Sequence, residues 1–172
     1  AEILNEVSGY LTQSLDLDEA ISRALEVLLR HLSGSLTISL TVLDAERQNL
    51  TVLAQKPAHR MYPMRSIGQQ ISLAELPVSQ QVLATKRPYV AANVALDSTV
   101  KAGDQRAVRG GLRSVLYLPL LVRSESVGVL HIDVHDETHH FSDEEIVLCQ
   151  GVANLLAAAI ERNQLLATER QQ

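Results

Sequence analysis

The chain has a single cysteine, Cys149, so no internal disulfide is available and redox chemistry that needs a resolving thiol is excluded. Cys149 stands among apolar residues of a helical pattern. It reads as an inert core thiol in a reducing compartment, which fits the cytoplasm. Positive charge is also scarce: 15 Lys and Arg stand against 20 Asp and Glu, the formal net charge is -5, and no basic run occurs. General electrostatic attraction to nucleic acid or to an anionic membrane is therefore not expected. No stretch approaches the roughly 20 apolar residues needed to cross a bilayer, and no signal-like segment precedes the first helical pattern. The Gly-x-Ser-x-Gly elbow, the Gly-x-x-x-x-Gly-Lys phosphate loop and the Cys-x-x-Cys pair are all missing. Paired carboxylates occur only in turn or cap settings such as Asp143-Glu144-Glu145, so the chain is not expected to be an enzyme.

What the chain does have is apolar content. At 172 residues and 46% hydrophobic it can bury a substantial core within one domain. It starts at Ala1 without Met and ends inside a helical pattern, as a piece of a longer chain is expected to do.

Ile3, Leu4, Val7, Leu11 and Leu15 recur at helical spacing and predict a first amphipathic helix. Asp16 with Glu19 forms an acidic capping box for a second, which carries Ala20 to Leu32 and is expected to end at Gly34. Leu36, Ile38, Leu40 and Val42 then alternate with Thr37, Ser39 and Thr41, a strand with one apolar and one small polar face. Leu50 to Ala54 is its expected hairpin partner. Residues 56–76 loosen around Pro57, Pro63 and Gly68, with a short strand allowed at Gln69 to Leu73. Pro77 to Ala84 reads as a short helix with proline in its first turn, and Tyr89 to Val94 as a strand. The polar stretch 97–111 is expected to be irregular, as lids and binding loops often are.

The last third is the most regular. Ser114 to Val122 and Val127 to Val134 alternate as a hairpin with Glu125 in the polar gap between them. Ser142 and Glu145 form a capping box, with Phe141 and Ile146 as a hydrophobic staple, for a long final helix with two adjacent apolar stripes. That breadth predicts packing on the sheet and also on the first helix or a second subunit.

His131, Asp133 and His135 are spaced two apart on the second hairpin strand, so they share one face opposite Leu130, Ile132 and Val134. As a metal set, with His139 and His140 nearby, they would suit zinc, nickel or iron. Residues four apart on a strand are roughly 13 Å apart, however, too far to share one ion without a bend. The other readings are a ligand contact by His131 and a histidine satisfied by neighbouring Thr or Tyr.

At this point the sequence resembles the GAF domain family of small-molecule-binding sensory modules. The resemblance lies in Ser114-x-x-x-x-Pro119-Leu120, Gly128-Val129-Leu130, Phe141-Ser142-x-x-Glu145 and the Ala-rich final helix, with Pro88 to Val94 similar to a further family stretch in which Asn93 replaces the more usual Asp. It implies an α/β fold of the α+β kind: a central antiparallel sheet, terminal helices on one face and a loop-covered ligand cavity on the other. The cavity would be bounded by residues 57–70 and by the 97–111 stretch.

Under that resemblance residues 1–172 form one domain, and the helices at 1–15 and 160–172 continue into linkers. The candidate ligand-binding residues are His131, Asp133, Arg113, Tyr117, Tyr89, Arg109 and Arg106, with Tyr62 and Arg65 as further candidates. The arginines would suit an anion, especially beside Gly110-Gly111, although each alone reads more readily as a solvated or paired side chain. Tyr117 is readable as cavity wall or as core.

Specific ligands of the family are disfavoured. A bilin needs a Cys near the lid, haem needs an axial His before the Ser114 strand, and the cyclic-nucleotide signature Asn-Lys-x-x-x-Phe-Asp-Glu does not occur. No cofactor is assigned. The expected function is regulatory sensing of an unidentified small molecule in a signal-transduction protein such as a sensor histidine kinase of a two-component system. The partners are a covalently linked output domain and a second copy docked through the terminal helices. The rivals are a structural dimerisation module, its cavity plugged by Tyr117, Tyr89 or Met64, and a metal-responsive regulator.

Overall fold

A computed structural model describes residues 2–13, 16–57 and 66–171. Helices α1 (Glu2–Gln13) and α2 (Leu17–His31) are followed by strands β1 (Leu36–Leu43), β2 (Asn49–Lys56) and β3 (Gln70–Ser72). Then come α3 (Pro77–Thr85), β4 (Tyr89–Ala91), α4 (Ser98–Gly103) and α5 (Gln105–Arg109). The hairpin β5 (Ser114–Val122) and β6 (Glu125–Val134) leads to α6 (Asp143–Gln171). The six strands form one sheet in the order β3-β2-β1-β6-β5-β4, and every neighbouring pair is antiparallel.

Alternation along the strands divides the interior in two. Leu36, Ile38 and Leu40 of β1, Leu116, Leu118 and Leu120 of β5, and Leu130, Ile132 and Val134 of β6 pack with α1, α2 and α6. Leu50 and Val52 of β2, Val115 and Val129 pack on the opposite face with α3, α4 and α5. The terminal helices thus cover one face, as expected from the sequence, and the short helices of the chain's middle cover the other.

The helix signals act as chemistry requires. Asp16 caps α2 by accepting hydrogen bonds from the backbone N–H groups of Asp18 at 3.0 Å and Glu19 at 3.4 Å. The side chain of Glu19 pairs forward with Arg23 at 2.8 Å. The helix ends at Leu32, whose N–H still reaches Leu28, and Gly34 with φ of 103° turns the chain beyond it. At α6 the capping box is complete: Glu145 N–H donates to Ser142 Oγ at 3.1 Å and Ser142 N–H to Glu145 Oε1 at 2.9 Å. Phe141 and Ile146 both pack on the helix-side core.

Three expectations are corrected. Glu125 is the first residue of β6, opposite Val122, and the turn is the pair Arg123-Ser124 with φ of 47° and 67°. That is the sign of a two-residue type I′ connection, whose twist matches the strands it joins. The strand from Tyr89 stops at Ala91, because the Asn93 side chain caps a 3-10 turn at Val94–Leu96. The stretch 97–111 is largely helical: Asp97 caps α4 and Asp104 caps α5, each accepting a backbone N–H of the helix it starts. Leu15, Tyr62, Met64 and Arg65 lie outside the described residues.

One glycine is sterically demanded. A Cβ on Gly128 would stand 2.2 Å from the carbonyl oxygen of Thr41, so β6 approaches β1 more closely than any side chain permits.

Candidate functional site

Strand β6 runs through the middle of the sheet and projects His131 and Asp133 onto the face covered by α3, α4 and α5, and His135 follows just past its end. The small polar face of β1 lies beside them. His131 Nε2 is 2.9 Å from Thr41 Oγ1, and His135 Nε2 is 2.5 Å from Thr37 Oγ1. In the β1/β6 register Ser39 faces His131 and Thr37 faces Asp133, so each threonine meets the histidine on its diagonal. On the other flank Tyr117 pairs with His131 across β5 and β6, their rings edge to face with centroids 4.6 Å apart. His135 also meets the carbonyl of Gly111 at 3.0 Å, which fixes the chain between α5 and β5.

Asp133 is the anchor of the site. Its Oδ2 accepts a hydrogen bond from Arg106 Nη2 at 3.0 Å, and its side chain is only 6% exposed. Arg106 comes from α5. Asp104, the residue that caps α5, also grips the guanidinium, accepting Nε at 3.0 Å on Oδ1 and Nη2 at 2.6 Å on Oδ2. One guanidinium therefore joins two carboxylates, and through them α5 is tied to the centre of the sheet. Burial works against the charge on Arg106, but Asp133 and Asp104 outweigh it and raise its pKa above the ordinary value. Asp133 Oδ1 is buried with no hydrogen-bond partner. An ionised carboxylate has about four acceptor positions, so this oxygen keeps unused acceptor capacity.

A cavity of about 280 Å³ opens at these groups. Its sheet wall holds Ser39, Thr41, Tyr117, His131 and Asp133; its helix wall holds Pro77, Val78 and Ser79 of α3, Val100 and Gly103 of α4, and Gln105 and Arg106 of α5. A Cβ on Gly103 would lie 2.5 Å from Pro77 Cδ, so glycine lets α4 close against the start of α3.

Of the residues singled out in the sequence, the structure brings His131, Asp133, Tyr117 and Arg106 together on this cavity. Tyr89 is adjacent to Tyr117 in the β4/β5 register, but its hydroxyl donates to Asp97 Oδ2 at 2.7 Å and it does not line the cavity. Burial, then Asp97, raises the Tyr89 pKa. Arg109 and Arg113 are exposed and do not line the cavity either. The sequence reading missed Asp104, Ser39, Thr41 and Ser79 as members of the wall. The signal for Asp104 was present: an Asp two residues before Arg106 at the head of a short apolar-facing helix is an N-cap.

Among the described residues no group of three or more His, Cys, Asp or Glu is placed to hold a metal ion. His139, outside the cavity, pairs with Glu145 at 3.1 Å and stacks edge to face on Phe141. Among the described residues no helix is long and apolar enough to cross a membrane.

Three solved structures show the same fold. The GAF domain of an Acinetobacter phosphoenolpyruvate-protein phosphotransferase superposes with a TM-score of 0.78 at 16% identity, over 95% of this chain and 93% of that one. The phycocyanobilin-bound GAF domain of a cyanobacterial phytochrome does so with a TM-score of 0.76 at 18% identity, over 95% and 94%. The GAF domain of a two-component sensor histidine kinase from Bacillus halodurans gives 0.70 at 20% identity, over 90% and 99%. No curated relative matches the chain. The GAF domain family model matches residues 14–161, most of the chain including every wall of the cavity, and the chain therefore belongs to the GAF domain family.

Proposed function

We propose that the chain is a non-catalytic regulatory domain that senses a small molecule within a signal-transduction protein and passes ligand state to a linked output module through its terminal helices. The observation that carries the reading is the cavity on one face of the sheet, with the buried Arg106–Asp133 bridge in its wall. Similarity to a domain that holds phycocyanobilin and to one from a sensor histidine kinase supports it. The relay requires that two arrangements of α1 and α6 bind the ligand with different affinity. Cytoplasmic placement and a histidine kinase as the parent belong to the same proposal, as does the extent of the domain across residues 1–172.

A second reading, a dimerisation module with an idle cavity, draws on Val147, Leu165 and Leu166 of α6, which are 71%, 56% and 52% exposed. Pairing of two copies through α6 is compatible with either reading. A thermal-melt panel of nucleotides, amino acids, aromatic metabolites, small anions and divalent metals separates them. Under the sensing reading one class raises apparent stability by about 2.7 kcal/mol at one hundred times its Kd, and His131→Ala removes the shift. A flat panel with a stable dimer in sedimentation overturns sensing in favour of the dimerisation module.

A further inference from the structure

We propose that the cavity takes a small organic cation, whose nitrogen donates hydrogen bonds to Asp133 while its body lies against Tyr117. The inference rests on the cavity being a ligand site and names the chemistry of its occupant.

Charge comes first. Among the described residues of the wall the fully ionic side chains are Asp104, Arg106 and Asp133, two carboxylates against one guanidinium. Asp104 holds that guanidinium through two side-chain hydrogen bonds, and Asp133 shares a single one. The two carboxylates share the single positive charge of Arg106, so the three groups together carry a negative charge in excess. Among the described residues, an anion entering this space meets two carboxylates and one guanidinium that is already bonded to both. Of the arginines that would have favoured an anion, Arg109 and Arg113 are exposed and do not line the cavity.

Hydrogen bonding leads the same way. Asp133 is nine-tenths buried, lines the cavity and keeps Oδ1 without a partner. A carboxylate oxygen accepts and never donates, so only a donor group completes it. An amidinium or ammonium supplies donors and the missing positive charge together. Tyr117 adds an electron-rich ring to the same wall, and aromatic faces attract cations.

Size sets the class. A volume of about 280 Å³ lies near the low end of ligand pockets and has room for one ring with a short charged head. The opposite wall, with Leu76, Pro77, Val78 and Val100, is apolar and suits the body of such a molecule.

The test uses the 172-residue chain and three probes of one size and shape: benzamidine, benzamide and benzoate, titrated by calorimetry. Benzamidine is expected to bind at least about tenfold more tightly than either of the others, and Asp133→Asn to remove that margin. Equal or tighter binding of benzoate or benzamide overturns the cation while leaving the cavity as a ligand site. Benzamidine binding untouched by Asp133→Asn in a folded variant also overturns it, because the contact then lies elsewhere. If Asp133→Asn does not fold, the wild-type ranking decides, together with the Tyr117 ring resonances, which benzamidine is expected to shift. Absence of binding by all three probes overturns the cation, and the sensing reading falls with it only if the melt panel is flat as well.

Discussion

Arg106 Nη2 lies 3.0 Å from Asp133 Oδ2, and this one bond joins a five-residue helix to the central strand of the sheet. Arg106 is 24% exposed and Asp133 6%, so water weakens the pair only in part. Removing one member of such a pair leaves the other charge buried and poorly matched. Arg106→Met is expected to cost about 2–4 kcal/mol in urea unfolding, below the upper range for a fully buried pair. The Arg106→Met, Asp133→Asn cycle is expected to give a coupling of about 1–3 kcal/mol. Additive losses would mean that α5 is held by Ala107 packing and not by the bridge.

The β5–β6 turn offers a gain in stability. Arg123 and Ser124 both carry positive φ, which costs any residue with a Cβ. Replacing them by Asn-Gly, the pair that type I′ turns favour, is expected to stabilise the domain by about 0.5–1 kcal/mol in chemical denaturation. The change also deletes the ion pair between Arg123 and Glu161 at 2.6 Å, but Arg123 is 79% exposed there and the pair is worth little. An unchanged or lower midpoint would show that the ion pair outweighs the backbone.

Acid sensitivity is expected to trace in part to the start of α6. Burial opposes the charge of Glu145, but hydrogen bonds from Ser142 and the neighbouring His139 outweigh it and hold its pKa below the ordinary 4.5. A carboxylate held low stabilises the fold above its unfolded value, and that contribution fades as pH falls through the folded value. Glu145→Gln, which keeps a capping side chain, should therefore lower stability near neutrality by no more than about 1 kcal/mol. The difference from wild type should shrink below pH 4.5. A constant difference across that window would assign the effect to packing instead of charge.

Cys149 is expected to stay silent. It is fully buried on the core-facing side of α6, and burial followed by the nearby Glu145 pushes its thiol up to about 12. A thiol reagent at pH 8 should label the native chain only at the rate of unfolding and label the denatured chain at once. Fast native labelling would mean that α6 opens locally.

Much of this architecture is visible in the residues themselves, where period and cap agree. The α6 capping box, the alternation of β1 and the shared face of His131, Asp133 and His135 all depend on neighbours within a few positions, and all are present. The 97–111 stretch is where reading fails. Its polarity resembles a loop, yet Asp97 and Asp104 each start a helix too short to show an apolar period. The cavity wall was legible for His131, Asp133, Tyr117 and Arg106, all of which reach it. Arg109 and Arg113 could not be placed from spacing: in a five-residue helix Ala107 takes the buried side, and Arg113 lies just outside the strand that begins at Ser114. The pairing of Asp104 with Arg106 depends on how the side chains fold back, which no period records.

Strand β6 is a partition with a room on either side. Ile132 touches the terminal helices, and its neighbours His131 and Asp133 border the cavity. Gly128 clamps the same strand to β1 where no atom can be added. A side chain that shifts at Asp133 therefore has no insulating layer behind it. Whatever tilts the strand on the cavity side must be absorbed within a residue's width by Ile132 and Val134, and the helices resting on those two are the first to register it.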